Sequence, residues 1–194
     1  MLFQDENMNE INAKKLLFTV ADVLEDIGVE FFLKCGTLLG AIRENKFIET
    51  DRVVDLAMLH ENLILVAKKI ENRLVEKGME VEIIDHRHKR PWDGSIYAFK
   101  IRGYGEHCEL AGYKKIKGKR ALPSHRNDYW EVITARLFEE LDEIEFYGRI
   151  FKKPADDYLT EWYDDWQTPM KLVAGSDYTN SCIRPESWLK NLGG

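Results

Sequence analysis

The stretch from Phe31 to Leu59, FFLKCGTLLGAIRENKFIETDRVVDLAML, constrains the fold of this chain more than any other. It reads as strand, glycine turn, short helix, loop and strand. The apolar run from Phe31 to Cys35 predicts a buried strand, and Gly36-Thr37 turns the chain into a short helix through Leu38 to Arg43. A helix opening on such a turn presents free backbone N–H groups and the positive end of its dipole, which favour an anion such as a phosphate. Asp51 and Asp55 follow a short loop later. Phosphate at one end and carboxylates at the other point to metal-assisted phosphoryl chemistry.

The flanking sequence predicts what surrounds this unit. Apolar residues at Ile11, Leu17, Val20, Leu24 and Ile27 fall three to four apart, an amphipathic helix stopped by Gly28. Leu63, Val66, Ile70 and Leu74 repeat the pattern before Gly78. The segments 79–85, 95–104 and 106–116 alternate as strands, and 144–153 reads as a hairpin about Tyr147-Gly148. Residues 156–166 predict a helix whose Tyr158, Leu159, Trp162 and Tyr163 make an aromatic face, the usual mark of core packing. From Lys117 to Ile144 no period is legible, and 170–194 reads as an irregular tail. The expected fold is α+β, a mixed β-sheet with flanking helices forming an α/β layer in one domain over 1–194, its core about 28–169.

Composition excludes several classes. A formal charge of −6 argues against a nucleic-acid partner, and no run of about 18 apolar residues offers a membrane span. The polar, acidic start MLFQDENMNE is unlike a signal peptide, so a cytoplasmic location is expected. Cys35, Cys108 and Cys182 are isolated in sequence and read as buried thiols. His86-x-His88 lies beside Pro91 with no third ligand near it and reads as surface loop rather than a metal site.

Among residues able to carry chemistry, Asp55 projects from a largely apolar strand, where Val53, Asp55 and Ala57 share one face. An unpaired carboxylate there is costly, so Asp55 is either a metal ligand or a strand-edge aspartate. His107, Glu109 and Ala111 share a face of another strand, which places Glu109 beside Asp55 if the strands are neighbours. Such carboxylates suit Mg²⁺ or Mn²⁺ with a nucleotide phosphate. Lys34, Arg43 and the loop Lys114 to Arg120 are the basic features. Arg43 is the best placed to fork onto a phosphate, two helical turns after Gly36.

The segment CGTLLGAIRENKFIETDRVVDLAM, Cys35 to Met58, resembles the signature of the LicD/fukutin family of nucleotidyltransferase-fold proteins: GTLLG, an Arg, a Phe-Ile, then clustered aspartates. The later segment Phe146 to Pro169 is similar to that family's second block. The resemblance covers about 28–169 and implies a nucleotidyltransferase-like core. It also implies transfer of a phospho-alcohol, phosphocholine- or phosphoribitol-like, from a CDP-activated donor to a sugar hydroxyl of a glycan or another hydroxyl acceptor. Carried over by position, Gly36 and Thr37 hold donor phosphates, Arg43 steadies them with Lys34 alongside, and Asp51, Asp55 and Glu109 bind Mg²⁺ or Mn²⁺ as the catalytic carboxylates. Glu109 is the choice for taking the proton from the attacking hydroxyl.

One departure matters. The family cluster reads Trp-Asp-x-Asp-x-Asp, and here it is Thr50-Asp51-Arg52-Val53-Val54-Asp55, so Val53 stands where the middle aspartate belongs. An isopropyl group coordinates nothing. Either a single metal suffices, or the chain is a weakened or inactive relative that binds a nucleotide or sugar phosphate. Transfer of AMP or UMP is a third possibility, since one fold hosts many chemistries.

Overall fold

The computed structural model describes residues 8–85, 95–123, 129–163, 165–168 and 183–185. Cys182 and the His86-x-His88 segment lie outside them.

The first helix, α1 (Glu10–Ile27), starts where the Asn9 side chain accepts the Asn12 N–H and ends at Gly28, whose φ of 80° only glycine adopts without cost. Strand β1 (Phe32–Leu33) is shorter than the apolar run predicts, because α2 (Cys35–Glu44) begins with Lys34 as its N-cap. Gly36 and Thr37 therefore sit inside the first helical turn rather than in a turn before it. Strand β2 (Val54–Leu59) runs without a break into α3 (His60–Glu76), and β3 (Glu80–Asp85), β4 (Ile96–Gly103) and β5 (Glu106–Ile116) follow within a residue of their expected bounds. The illegible stretch supplies β6 (Lys119–Pro123), β7 (Tyr129–Thr134) and a 3-10 turn, Ala135–Phe138. A separate hairpin, β8 (Asp142–Phe146) and β9 (Arg149–Lys153), leads to α4 (Asp157–Tyr163). The segment read as an irregular tail contributes β10 (Ile183–Pro185), paired with β7.

These strands form a mixed eight-stranded sheet. Strand β2 lies parallel to β5, with β1 antiparallel on its other side, while β5 pairs antiparallel with both β4 and β6. The register sorts side chains by face. Leu33, Leu56, Leu110 and Phe99 lie in one row and are fully buried on the side that α1 and α3 cover. Asp55, Glu109 and Lys100 form the row on the opposite face. Beyond them that face carries an aromatic layer in which Phe138 packs on Phe32, Tyr113 and Tyr158 at 5.4, 5.1 and 5.9 Å between ring centroids. The aromatic face of α4 is core, as its spacing implies.

Candidate active site

The register sets Asp55 directly beside Glu109 on parallel neighbours, so both carboxylates leave the same face. Asp55 is fixed from both ends of its peptide: its N–H donates to Thr37 Oγ1 at 2.8 Å, and its carbonyl accepts the Lys34 N–H at 3.2 Å. Thr37 is fully buried and its hydroxyl is engaged with the strand. The Gly36 amide faces the Asp55 carboxylate. Asp51 reaches the same spot from the loop, where a Cβ built on Gly36 would lie 2.8 Å from Asp51 Cγ. Two carboxylates thus flank the amino end of α2.

The loop that delivers Asp51 is shaped by packing. Phe47 is buried against Phe146 and Tyr147, and its N–H donates to Tyr147 Oη, which in turn donates to Glu10. Gly40 lets the loop return across α2, since a Cβ there would lie 2.5 Å from the Lys46 carbonyl oxygen. The GTLLG spacing has a physical reason: its first glycine makes room for Asp51 and its second for the backbone that carries Asp51.

Lys34 occupies the centre. It is 2% exposed, and its Nζ lies 3.0 Å from Glu109 Oε1 and 3.9 Å from Asp55 Oδ1. Burial works against its ammonium, but Cys35 together with Glu109, Glu131 and Asp55 outweighs that penalty and holds its pKa well above the ordinary value. The carboxyls show the converse. Burial pushes Asp51 up to about 6 and Asp55 to about 7, the latter against the pull of Lys34 and the Gly36 amide.

Glu131 joins this cluster although it was not among the expected residues. It is buried on β7, accepts a hydrogen bond from Tyr113 Oη at 3.3 Å, and is pushed by burial to about 8. Tyr113 continues through Tyr158 Oη at 3.3 Å to the Cys35 N–H at 3.4 Å. The signal was present in YWEVIT, a carboxylate inside an apolar strand, the same pattern that singles out Asp55.

A cleft of about 490 Å³ opens over the group, lined by Asp51, Val53, Asp55, Lys100, His107 and Glu109 among others. The three expected carboxylates line it together. Gly36, Thr37 and Lys34 form the buried support around it, and Arg43 lies in the last turn of α2, about 10 Å along the axis from Gly36. The carboxylates do not close into a ligand set of three: among the described residues no three His, Cys, Asp or Glu side chains do. The physical reason is Lys34, whose ammonium takes the Glu109 oxygen. Val53, 37% exposed, faces this cleft where a carboxylate was expected.

Solved structures carry the same fold. The solution structure of the antibiotic-resistance factor ANT(2'')-Ia aligns with a TM-score of 0.53 at 12% identity, covering 96% of this chain and 86% of that one. The lincomycin-bound lincosamide antibiotic adenylyltransferase LnuA aligns with a TM-score of 0.50 at 15% identity, covering 97% and 99%. A search of curated protein sequences finds no match. The family profile described as LicD/FKTN/FKRP, nucleotidyltransferase domain, matches residues 28–156, a span that includes α2, β2, β5 and every carboxylate of the cleft. The chain belongs to the LicD/FKTN/FKRP family of nucleotidyltransferase domains.

Proposed function

We propose that this chain is a phosphotransferase that moves a phospho-alcohol, phosphocholine- or phosphoribitol-like, from a CDP-activated donor to a hydroxyl of a glycan. The observation that carries the reading is the placement of Asp51, Asp55 and Glu109 along one cleft at the amino end of α2. A divalent cation fits the residues present. Asp51 Oδ2 is buried with no hydrogen-bond partner, and the carboxyls of Asp55, Glu109 and Glu131 act on the buried ammonium of Lys34. Asp51 and Asp55 would hold Mg²⁺ or Mn²⁺, with donor phosphate oxygens and water completing the shell, the usual habit of these ions. The cation supplies Lewis-acid stabilisation of charge on the transferred phosphoryl group.

The remaining work falls to the chain itself. Gly36 and Thr37 act on the donor through the carboxylates they position, and Lys34 holds Glu109 in place through its Oε1. Glu109 takes the proton of the acceptor hydroxyl as its oxygen bonds to the phosphorus bearing the alcohol. The bond from that phosphorus to the oxygen bridging the two phosphates breaks, and CMP leaves with the electron pair. Arg43 is assigned to the negative end of the α2 dipole rather than to the donor.

Val53 favours a second reading, in which the site binds the donor without turning it over. Incubation with CDP-choline or CDP-ribitol, Mn²⁺ and a hydroxyl acceptor separates the two. CMP release that Asp55→Asn lowers at least a hundredfold supports transfer. Donor-induced thermal stabilisation with no CMP from either donor, unrescued by Val53→Asp, rejects it in favour of binding.

A further inference from the structure

We infer that Lys34 is a built-in second cation: its ammonium fills the position a second metal ion would take, so that the site binds one divalent ion and no more. This deepens the reading above and rests on its cation site. Two-metal phosphoryl-transfer sites place ions about 3.5–4 Å apart and bridge them with a shared carboxylate, which stabilises charge on both the attacking and the leaving oxygen. Here the pair is altered twice. Val53 removes one carboxylate, and Lys34 Nζ sits 3.0 Å from Glu109 and 3.9 Å from Asp55, two of the three that remain. An ammonium at that spot excludes a metal ion both by volume and by charge.

Lys34 cannot readily withdraw. It caps α2, its N–H is bonded to the Asp55 carbonyl, and its side chain is almost wholly buried, so it has no solvated alternative. Asp51 lies on the other side of this arrangement, against Gly36, with its buried Oδ2 unpaired and available to one ion. The result is one exchangeable cation, shared by Asp51 and Asp55, and one permanent cation on the Glu109 side. Valine at position 53 is then tolerated because the carboxylate it replaces would have served an ion that the site no longer takes.

The test counts ions. Purified protein is titrated with Mn²⁺ in the presence of CDP, free Mn²⁺ is read by EPR, and the saturated sample is inspected for the spectrum of a spin-coupled Mn²⁺ pair. Wild type is expected to bind one ion with no coupled pair. Val53→Asp, at a position open to solvent, is expected to restore the carboxylate and still bind one ion, while Val53→Asp/Lys34→Met binds two and shows the coupled spectrum. Two ions in Val53→Asp with Lys34 intact overturn the inference, as does a single ion in the folded double variant. The Val53→Asp result stands if the double variant fails to fold. Wild type binding no Mn²⁺ at all overturns the cation site itself, an outcome distinct from two ions bound with Lys34 in place.

Discussion

At Gly36 the missing side chain is what admits Asp51 to the head of α2. The nearest atoms a methyl group there would meet are those of the Asp51 carboxylate, the movable end of a side chain. Alanine also favours a helix over glycine by about 1 kcal/mol. Gly36→Ala is therefore expected to leave thermal stability within about 1 kcal/mol of wild type while weakening Mn²⁺ binding at least tenfold, measured by melting and by Mn²⁺ titration. A large loss of stability with unchanged Mn²⁺ affinity would refute the argument. Lys34 responds differently, since its removal leaves Asp55 and Glu109 facing one another without their cation. Lys34→Ala is expected to cost about 3–5 kcal/mol, the usual penalty for breaking a buried ion pair from one side, checked by urea unfolding in EDTA.

The second glycine of GTLLG acts between elements. A Cβ at Gly40 meets the carbonyl of Lys46 and the amide of Ile48, backbone groups that give way only if the loop lifts off α2. Gly40→Ala is expected to destabilise by about 1–3 kcal/mol through overpacking and to speed amide exchange at 45–51, which hydrogen exchange would detect. Unchanged exchange across that loop would remove the close approach from the explanation. These elements also show why some of the fold was legible and some was not. Helices α1 and α3 and strands β3 and β4 each leave one face more exposed than the other, so their period survives in the sequence. Strand β7 does not: WEVIT is apolar on both sides around Glu131, packed between two partners, and carries no alternation to read. The short β1 follows from a capping decision at Lys34 that no local pattern announces. In the site, Asp51, Asp55 and Glu109 were legible as carboxylates on apolar or motif positions. Lys34 was legible only as a basic residue on the phosphate side; its contact with Glu109 and Asp55 was not, because a lysine at the end of an apolar run shows no carboxylate partner until tertiary contacts supply one.

The whole molecule carries an excess of buried negative charge at one place, and its stability should report that. A carboxyl whose pKa is higher in the folded than in the unfolded chain keeps its proton longer when folded, so its cost is absent at low pH and grows as pH rises toward the folded pKa. Asp51, Asp55 and Glu131 are shifted in this direction, to about 6, 7 and 8. His60, lowered by burial, acts with the opposite sign below its ordinary value of 6.5. Above that value the two carboxyls with the higher folded pKa remain in play, against the opposing charge of Lys34 and beside Glu109. In EDTA, stability is therefore expected to fall between about pH 6.5 and 8, by at most about 1.4 kcal/mol per pH unit for each group still changing its charge. Glu131→Gln removes the group that titrates last and should flatten the upper half of that decline. Mn²⁺ binds the ionised carboxylates, so it should raise the melting temperature more at pH 8 than at pH 6. Calorimetric melts at both values, with and without Mn²⁺, decide the matter. A metal-free protein that melts higher at pH 8 than at pH 6.5 would mean that the carboxylates around Lys34 are already neutralised by the fold, and the case for an exchangeable cation beside Asp51 would lose its electrostatic ground.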